Sequence, residues 1–519
     1  MQGVHWAQRT AQALVAAHPN LDTFVLAAGI SPSKAYTMSN FREIITTYFV
    51  VCALKALGKK TRFIFSWDDF DRFRSVPDGL DPSYERYIGM PYSAIPDPNG
   101  CCASYAAHIE TTLENTLRTF GIEVDFLYQT QQYQSGRYRE GVHLALVNRH
   151  RIYDILQSFN ANGATPQARH DFYPVNLYCE RCGKDHTHVN AYDEGARMLY
   201  YTCKCNFEGA QSVREATTIK LIWKVDWPMR WREEQVVYEP GGRNHSALSG
   251  SYNISSVVSR EIFNYMAPAY TPYESIAFKT REGIMLNEMT PELLMQGFRP
   301  EVILSMFLNY QPHAPITISL DDDVAKYHAT FERLYRQYRE GTLTRDDQRF
   351  AVELCLLPQT PTYFAPYAAI GNVLPLVDHD LTLSKELLGD QLEGVMDAEY
   401  QQTCERVHYW ITHWHPERAA RINRAFNRAY YVSLSDAIKL KLKVLLSTLS
   451  PESDGEAWVQ AVAEICKSQD IHATKRQQHQ LFEAIYHLLI SKNQGPKLPL
   501  LIDLMGTQQA YRLLAGTVR

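Results

Sequence analysis

Apolar residues run unbroken through 23–28 and stop at Gly29, the pattern of a buried strand that ends in a tight turn. Residues 40–57 then place Phe41, Ile44, Ile45, Tyr48, Val51 and Leu54 at helical spacing, and Gly58, Lys59 and Lys60 lead into a second strand-like run, 62–66. Strand, helix, strand predicts parallel pairing through a right-handed crossover. Ligands in such sheets lie beyond the carboxyl ends of the strands, which puts Gly29 and residues 67–71 at one edge. The alternation breaks over 165–215, where Cys179, Cys182, Cys203 and Cys205 flank short tyrosine-rich stretches. This segment reads as a small zinc-ribbon-like insertion. Residues 220–231 (KLIWKVDWPMRW) read as strand again, and 238–253 as glycine-rich loop. From about Ala325 onward long amphipathic patterns replace the strand signals, with Val407, Trp410, Ile411 and Trp414 on one helix face. Breaks fall at 450–455 and 493–499.

The expected fold class is α/β: a Rossmann-like parallel sheet formed by residues 1–165 and 216–325, interrupted by the Cys-rich insertion 166–215 and followed by an all-α domain, 326–519. A length of 519 residues with 45% hydrophobic content agrees with several domains. The start of the chain lacks a basic stretch followed by an apolar run, and the apolar residues 48–57 are too few to span a bilayer. A cytoplasmic protein with no membrane or DNA partner is expected. Residues 401–519 hold 15 Lys and Arg against 10 Asp and Glu, in a chain whose net charge is -5. That basic end suits a polyanion, although a solvated helical surface carries the same bias.

The four cysteines offer C-x-x-C at 179–182 and C-x-C at 203–205, four thiolates for a tetrahedral Zn²⁺. The second half is shorter than usual, so an eroded knuckle held by packing stays open, with His186 and His188 as spare ligands.

Several longer blocks are more specific. GISPSKAYTMSNFRE (29–43), SWDDFDRFRSVP (66–77), GMPYSAIPDPNGCCASY (89–105), WKVDWPMRW (223–231), YEPGGRNHSALSGSY (238–252) and PYESIAFK (272–279) occur in that order, with SKNQGPKLPLLIDLMG (491–506) near the end. Together they resemble the class I lysyl-tRNA synthetase family over about 1–340 and more weakly beyond. By that resemblance Gly29 and Ser31 line the backbone side of a bound lysine, with Trp227, His245 and Tyr273 around its side chain and carboxylate. An ε-ammonium suits an aromatic wall with a carboxylate beside it, and Asp68, Asp69 and Glu274 are the candidate acids. ATP phosphates are expected at the helix start through Thr37, Ser39 and Asn40, since helix N-termini present free amides to anions.

Two phosphate elements depart from the family. The expected H-I-G-N is Thr37, Met38, Ser39 and Asn40. The lysine-rich mobile loop is REGIMLNEMTPE (281–292), with Ile284 and Met289 at the lysine positions and Glu288 adding negative charge. Arg243 and Asn244 replace a lysine and an aspartate. Lys34, Lys279, Arg281 and Arg243 are the cations left to meet phosphate. The resemblance implies ATP-dependent activation of lysine, with Mg²⁺, and transfer to tRNA held partly by the helical end. The departures leave two alternatives: a lysine-activating ligase for a non-tRNA acceptor, and a non-catalytic lysine- or tRNA-binding paralogue.

Overall fold

The computed structural model describes residues 4–159, 165–215, 218–286 and 288–516. Helix α1 (Trp6–Ala17) precedes strand β1 (Thr23–Ile30), helix α2 (Met38–Ala56), strand β2 (Lys60–Trp67), helix α3 (Tyr105–Thr119) and strand β3 (Asp125–Tyr128). β1 and β2 pair in parallel over their full length, with Gly29 opposite Ser66. β3 continues the sheet beyond β2, and strand Val236–Tyr238 pairs with the other side of β1, also in parallel. The order is therefore β3, β2, β1, Val236–Tyr238. The chain leaves β1 in one direction and returns on its other side, which opens a crevice at the carboxyl end between β1 and the returning strand.

Both faces of β1 are buried, which is why its sequence is a continuous apolar run rather than an alternation. Phe24, Leu26 and Ala28 face the core that contains α2, whereas Val25 and Ala27 face Trp227 and Trp231.

Residues 220–231 differ from expectation. Only Ile219–Leu221 is strand, and Trp223–Glu234 is a helix with Pro228 inside it. Trp223, Trp227 and Trp231 recur every four residues, so the tryptophans form one stripe laid on the sheet. Pro228 cannot donate to the carbonyl four residues back. That carbonyl, of Lys224, instead accepts from Ser255 Oγ at 3.2 Å.

The cysteine segment carries a three-stranded antiparallel sheet, Thr187–Asp193, Met198–Cys203 and Phe207–Ser212. The expected boundary at residue 216 lies outside the described residues. Among the described residues the last strand is Ile316–Ser319, and helices follow. Val407, Trp410 and Ile411 share the hydrophobic core of the sheet, while Leu442, Trp458, Leu481, Ile485, Leu488 and Leu501 build a second core. The mixed fold of a parallel sheet, a Cys-rich insertion and a helical C-terminal region is as expected. Among the described residues no helix is long and apolar enough to cross a membrane.

Candidate active site

The crevice beside β1 is a narrow cavity lined by Gly29, Glu43, Asp68, Trp227, Arg230, Glu234, Glu239 and His245, among others. Glycine at position 29 has a steric reason: a Cβ there would lie 2.9 Å from the Ser66 carbonyl on β2. Trp227 stacks on Trp223 with ring centroids 4.9 Å apart, and the His245 ring meets Trp227 edge-on at 5.9 Å. These rings form an apolar wall opposite the strand ends.

Glu43 stands on α2, one turn beyond Asn40. Its carboxylate accepts from the Gly29 amide at 3.1 Å and from the Tyr273 hydroxyl at 2.7 Å. Burial pushes its pKa up to about 7 against those two donors, and Glu239 and Asp68 add repulsion. Glu239, at the end of the returning strand, accepts from the Trp231 indole at 2.7 Å. Burial lifts it to about 7 as well.

The expected lysine residues divide into two groups. Gly29, Asp68, Trp227 and His245 line the cavity, and Tyr273 reaches it through Glu43. Asp68, only 5% exposed, meets Arg230 Nη1 at 2.8 Å. Asp69 accepts from the Thr130 amide at 2.8 Å and holds a turn. Ser31 donates to Asp71 at 2.9 Å, and Asp71 in turn pairs with the buried Lys220. Glu274 pairs with Arg243 at 3.3 Å. Sequence reading passed over Glu43 and Glu239 as ligand-facing acids. Their signals were slight: Glu43 follows Asn40 by three positions on one helix face, and Glu239 directly precedes the Pro-Gly-Gly turn.

The phosphate side is engaged with itself. The Thr37 amide and hydroxyl both donate to Asn40 Oδ1, at 3.0 and 3.1 Å. Ser39 Oγ donates to the Ile276 carbonyl at 3.0 Å. The Met38 amide, at the open end of α2, donates to the Met289 carbonyl at 2.8 Å. Met289 is buried, and the neighbouring Glu292 is tied to Thr116, which also meets the Tyr36 hydroxyl. The segment that replaces the lysine-rich loop thus straps the helix start. Ile284 and Arg281 are exposed, Lys279 ends strand Ile276–Lys279, and Arg243 is exposed beside Glu274.

Two clusters have the chemistry of metal sites. Cys179, Cys182, Cys203 and Cys205 present sulfurs all within 4.8 Å of one another. The Cys179–Cys205 and Cys182–Cys203 pairs are each 3.7 Å apart, close to the ~3.8 Å edge of a tetrahedron built on ~2.3 Å Zn–S bonds. The second, Asp97, Cys101, Cys102 and His108, also converges within 4.8 Å. Asp97 accepts the Cys101 and Cys102 amides at 2.8 Å, and Cys101 Sγ lies 3.2 Å from His108 Nδ1. The spacing D-x₃-C-C-x₅-H was its sequence signal.

A parallel sheet with a ligand crevice at its switch point, a helix start beside it and an acid-lined aromatic cavity define a class I aminoacyl-tRNA synthetase scaffold. Residues 4–355 match the family model described as tRNA synthetases class I (K). A lysine–tRNA ligase of Treponema pallidum is 31% identical over 99% of both chains, and one from Pyrococcus horikoshii is 27% identical over 95% of this chain and 96% of its own. The chain belongs to the class I lysyl-tRNA synthetase family, whose members use ATP. A glutamate tRNA ligase structure from Elizabethkingia meningosepticum aligns with 95% of this chain and 99% of its own at 11% identity and a TM-score of 0.40.

Proposed function

We propose that the chain binds L-lysine in the cavity beside β1 and carries out the family reaction, ATP-dependent lysine activation and transfer to tRNA. The observation that carries this reading is the cavity's carboxylates, Glu43 and Glu239, set against a tryptophan wall. An ammonium there gains charge-assisted hydrogen bonds and cation–π attraction together. The lysine carboxylate attacks the α-phosphorus of ATP and pyrophosphate leaves; a ribose hydroxyl at the 3′ end of the tRNA then attacks the lysyl carbonyl and displaces AMP. The Met38 amide can donate to a phosphate only when its bond to the Met289 carbonyl opens. Lys34, Lys279, Arg281 and Arg243 are the side chains available to bring positive charge, with Mg²⁺. Loss of a single preorganised donor costs about 10²- to 10³-fold in rate, so exchange is expected to be slow.

Lysine-dependent ATP–pyrophosphate exchange tests the reaction. Lysine binding by calorimetry with no exchange in folded protein sinks catalysis and leaves the second reading, a non-catalytic lysine-binding paralogue, which the strapped helix start favours. Exchange without tRNA charging points to another acceptor.

The four-cysteine set would hold Zn²⁺ as a closed structural site, with no coordination position left for chemistry. Cys203→Ser is expected to remove one equivalent of zinc by elemental analysis and to expose the 165–215 region to protease. Unchanged metal content in that variant would contradict the assignment.

Lysine recognition should depend on pH. In the folded protein Glu43 and Glu239 sit near 7, above the ordinary glutamate value of 4.5. Between those values the native state keeps protons that the unfolded chain has lost, so the unliganded protein loses stability as pH rises through this window. An ammonium needs the ionised forms. The increase in Tm given by saturating lysine is therefore expected to be larger at pH 8 than at pH 6, and equal shifts would rule out these acids as its partners.

A further inference from the structure

Three helices meet after the last strand without filling the space between them. Helix Asp322–Arg339 presents Asp323, Lys326, Tyr327, Thr330, Phe331 and Leu334, spaced i, i+3, i+4, i+7, i+8 and i+11, so these side chains form one face. Helix Asp346–Cys355 turns Gln348, Ala351, Val352 and Cys355 to the same space, and helix Pro300–Leu308 adds Ser305 and Leu308. Facing helices ordinarily interdigitate and leave few voids larger than a water molecule. Here Ser305, Ala351 and Cys355 are short, and a cavity of about 300 Å³ remains. Among the described residues none lines both this cavity and the one beside β1.

Its chemistry is graded from floor to mouth. Leu308, Phe331, Val352 and Cys355 are buried, and burial pushes the Cys355 thiol up, so the floor is apolar and uncharged. Asn309, Lys326 and Thr330 are exposed at the mouth. The charged side chains of the lining, Asp323 and Lys326, pair with each other at 2.9 Å and cancel. Gln348 is half-buried, and its carboxamide has no hydrogen-bond partner among the described residues.

Size and chemistry together narrow the occupant. An apolar cavity of ~150 Å³ admits benzene, so twice that volume suits two fused rings. A charged ligand would have to enter the apolar floor without a counter-ion. A carboxamide offers a donor and an acceptor side by side, which a cyclic amide matches with its own N–H and C=O. We infer that this cavity binds uncharged bicyclic heteroaromatics, with the fused ring against Phe331 and Val352 and a cyclic-amide edge on the Gln348 carboxamide. Small-molecule sites are of this kind, mostly apolar with a few placed polar groups, and they recur between packed helices.

Calorimetry on the full chain with 4-quinazolinone as probe tests it. A fragment of this size is expected to bind with a Kd of about 1 mM or tighter. Its 3-methyl derivative, in which the amide N–H is blocked, should bind about tenfold more weakly. Removal of the second ring, in 4-pyrimidinone, should bring binding below detection, because the apolar floor loses its contact. Gln348→Leu should weaken the probe about tenfold and bring it level with its methyl derivative. Ala351→Phe places a ring inside the cavity; it is expected to abolish probe binding, to keep Tm at or above the wild-type value, and to leave lysine binding unchanged. A lower Tm in Ala351→Phe would mean that the space is already filled and overturns the inference. So does probe affinity that Ala351→Phe or Gln348→Leu leaves unchanged, equal affinity for the probe and its methyl derivative, or no probe binding by folded wild-type protein.

Discussion

Arg230→Ala is expected to destabilise the α/β part by about 3–5 kcal/mol, because removing one partner of a buried ion pair strands the other. Arg230 bridges Asp68 on the strand-end turn and Asp226 on its own helix, and all three side chains are buried. Asp226 keeps Lys220 4.0 Å away and the Tyr133 hydroxyl, whereas Asp68 loses its one ion pair among the described residues. Its carboxyl already has a raised pKa, because burial outweighs Arg230. The urea midpoint of the variant should fall, and the difference from wild type should shrink as acid protonates Asp68. Asp68→Asn in the same background should recover part of the loss. A variant as stable as wild type would mean that water reaches this network.

Arg42→Ala is the second large effect. The guanidinium donates from Nη1 to the Glu274 and Ser275 carbonyls at 2.6 and 3.1 Å, and from Nη2 to Gln311 and Ala314 at 3.2 and 2.9 Å. Burial lowers its pKa to about 10, which leaves it charged at neutral pH. One side chain thus fastens α2 to two loops and fixes the segment that brings Tyr273 to Glu43. Truncation leaves four carbonyls to find water, and a cost of about 3–5 kcal/mol is expected. Lysine affinity should fall with it, since Tyr273 loses its anchor. Arg42→Lys should recover little, because an ammonium cannot span four carbonyls as a planar fork does. Calorimetry and urea unfolding on both variants check the pair of effects.

The strand, turn, helix and strand around Gly29 were legible because each carries its own local signal: an apolar run, a glycine, a helical stripe. The aromatic wall was legible in part. Trp227 is legible as an aromatic residue but not in its setting, since KLIWKVDW alternates well enough to read as β whereas Trp223–Glu234 is a helix. Acids were harder. Asp68 and Glu43 look equally available in the sequence, yet Asp68 meets a guanidinium 162 positions away and Glu43 meets none among the described residues. Whether a carboxylate is spent or free depends on what a distant segment delivers, and no local pattern carries that information. The Asp97 cluster has its ligands within 97–108, overlapping the block 89–105 whose family resemblance masks the metal-ligand spacing.

The Met289 carbonyl that closes the start of α2 also bears on how this chain can change. At position 284, which is exposed, a lysine would carry little penalty. At 289 the side chain is in the core and its carbonyl accepts the Met38 amide, so a lysine there would have to bury its ammonium or pull this segment away from the helix start. A lysine is tolerable at 284 and costly at 289. Placing lysines at both positions therefore calls for the whole segment 280–292 to be exchanged as a unit rather than for two single substitutions.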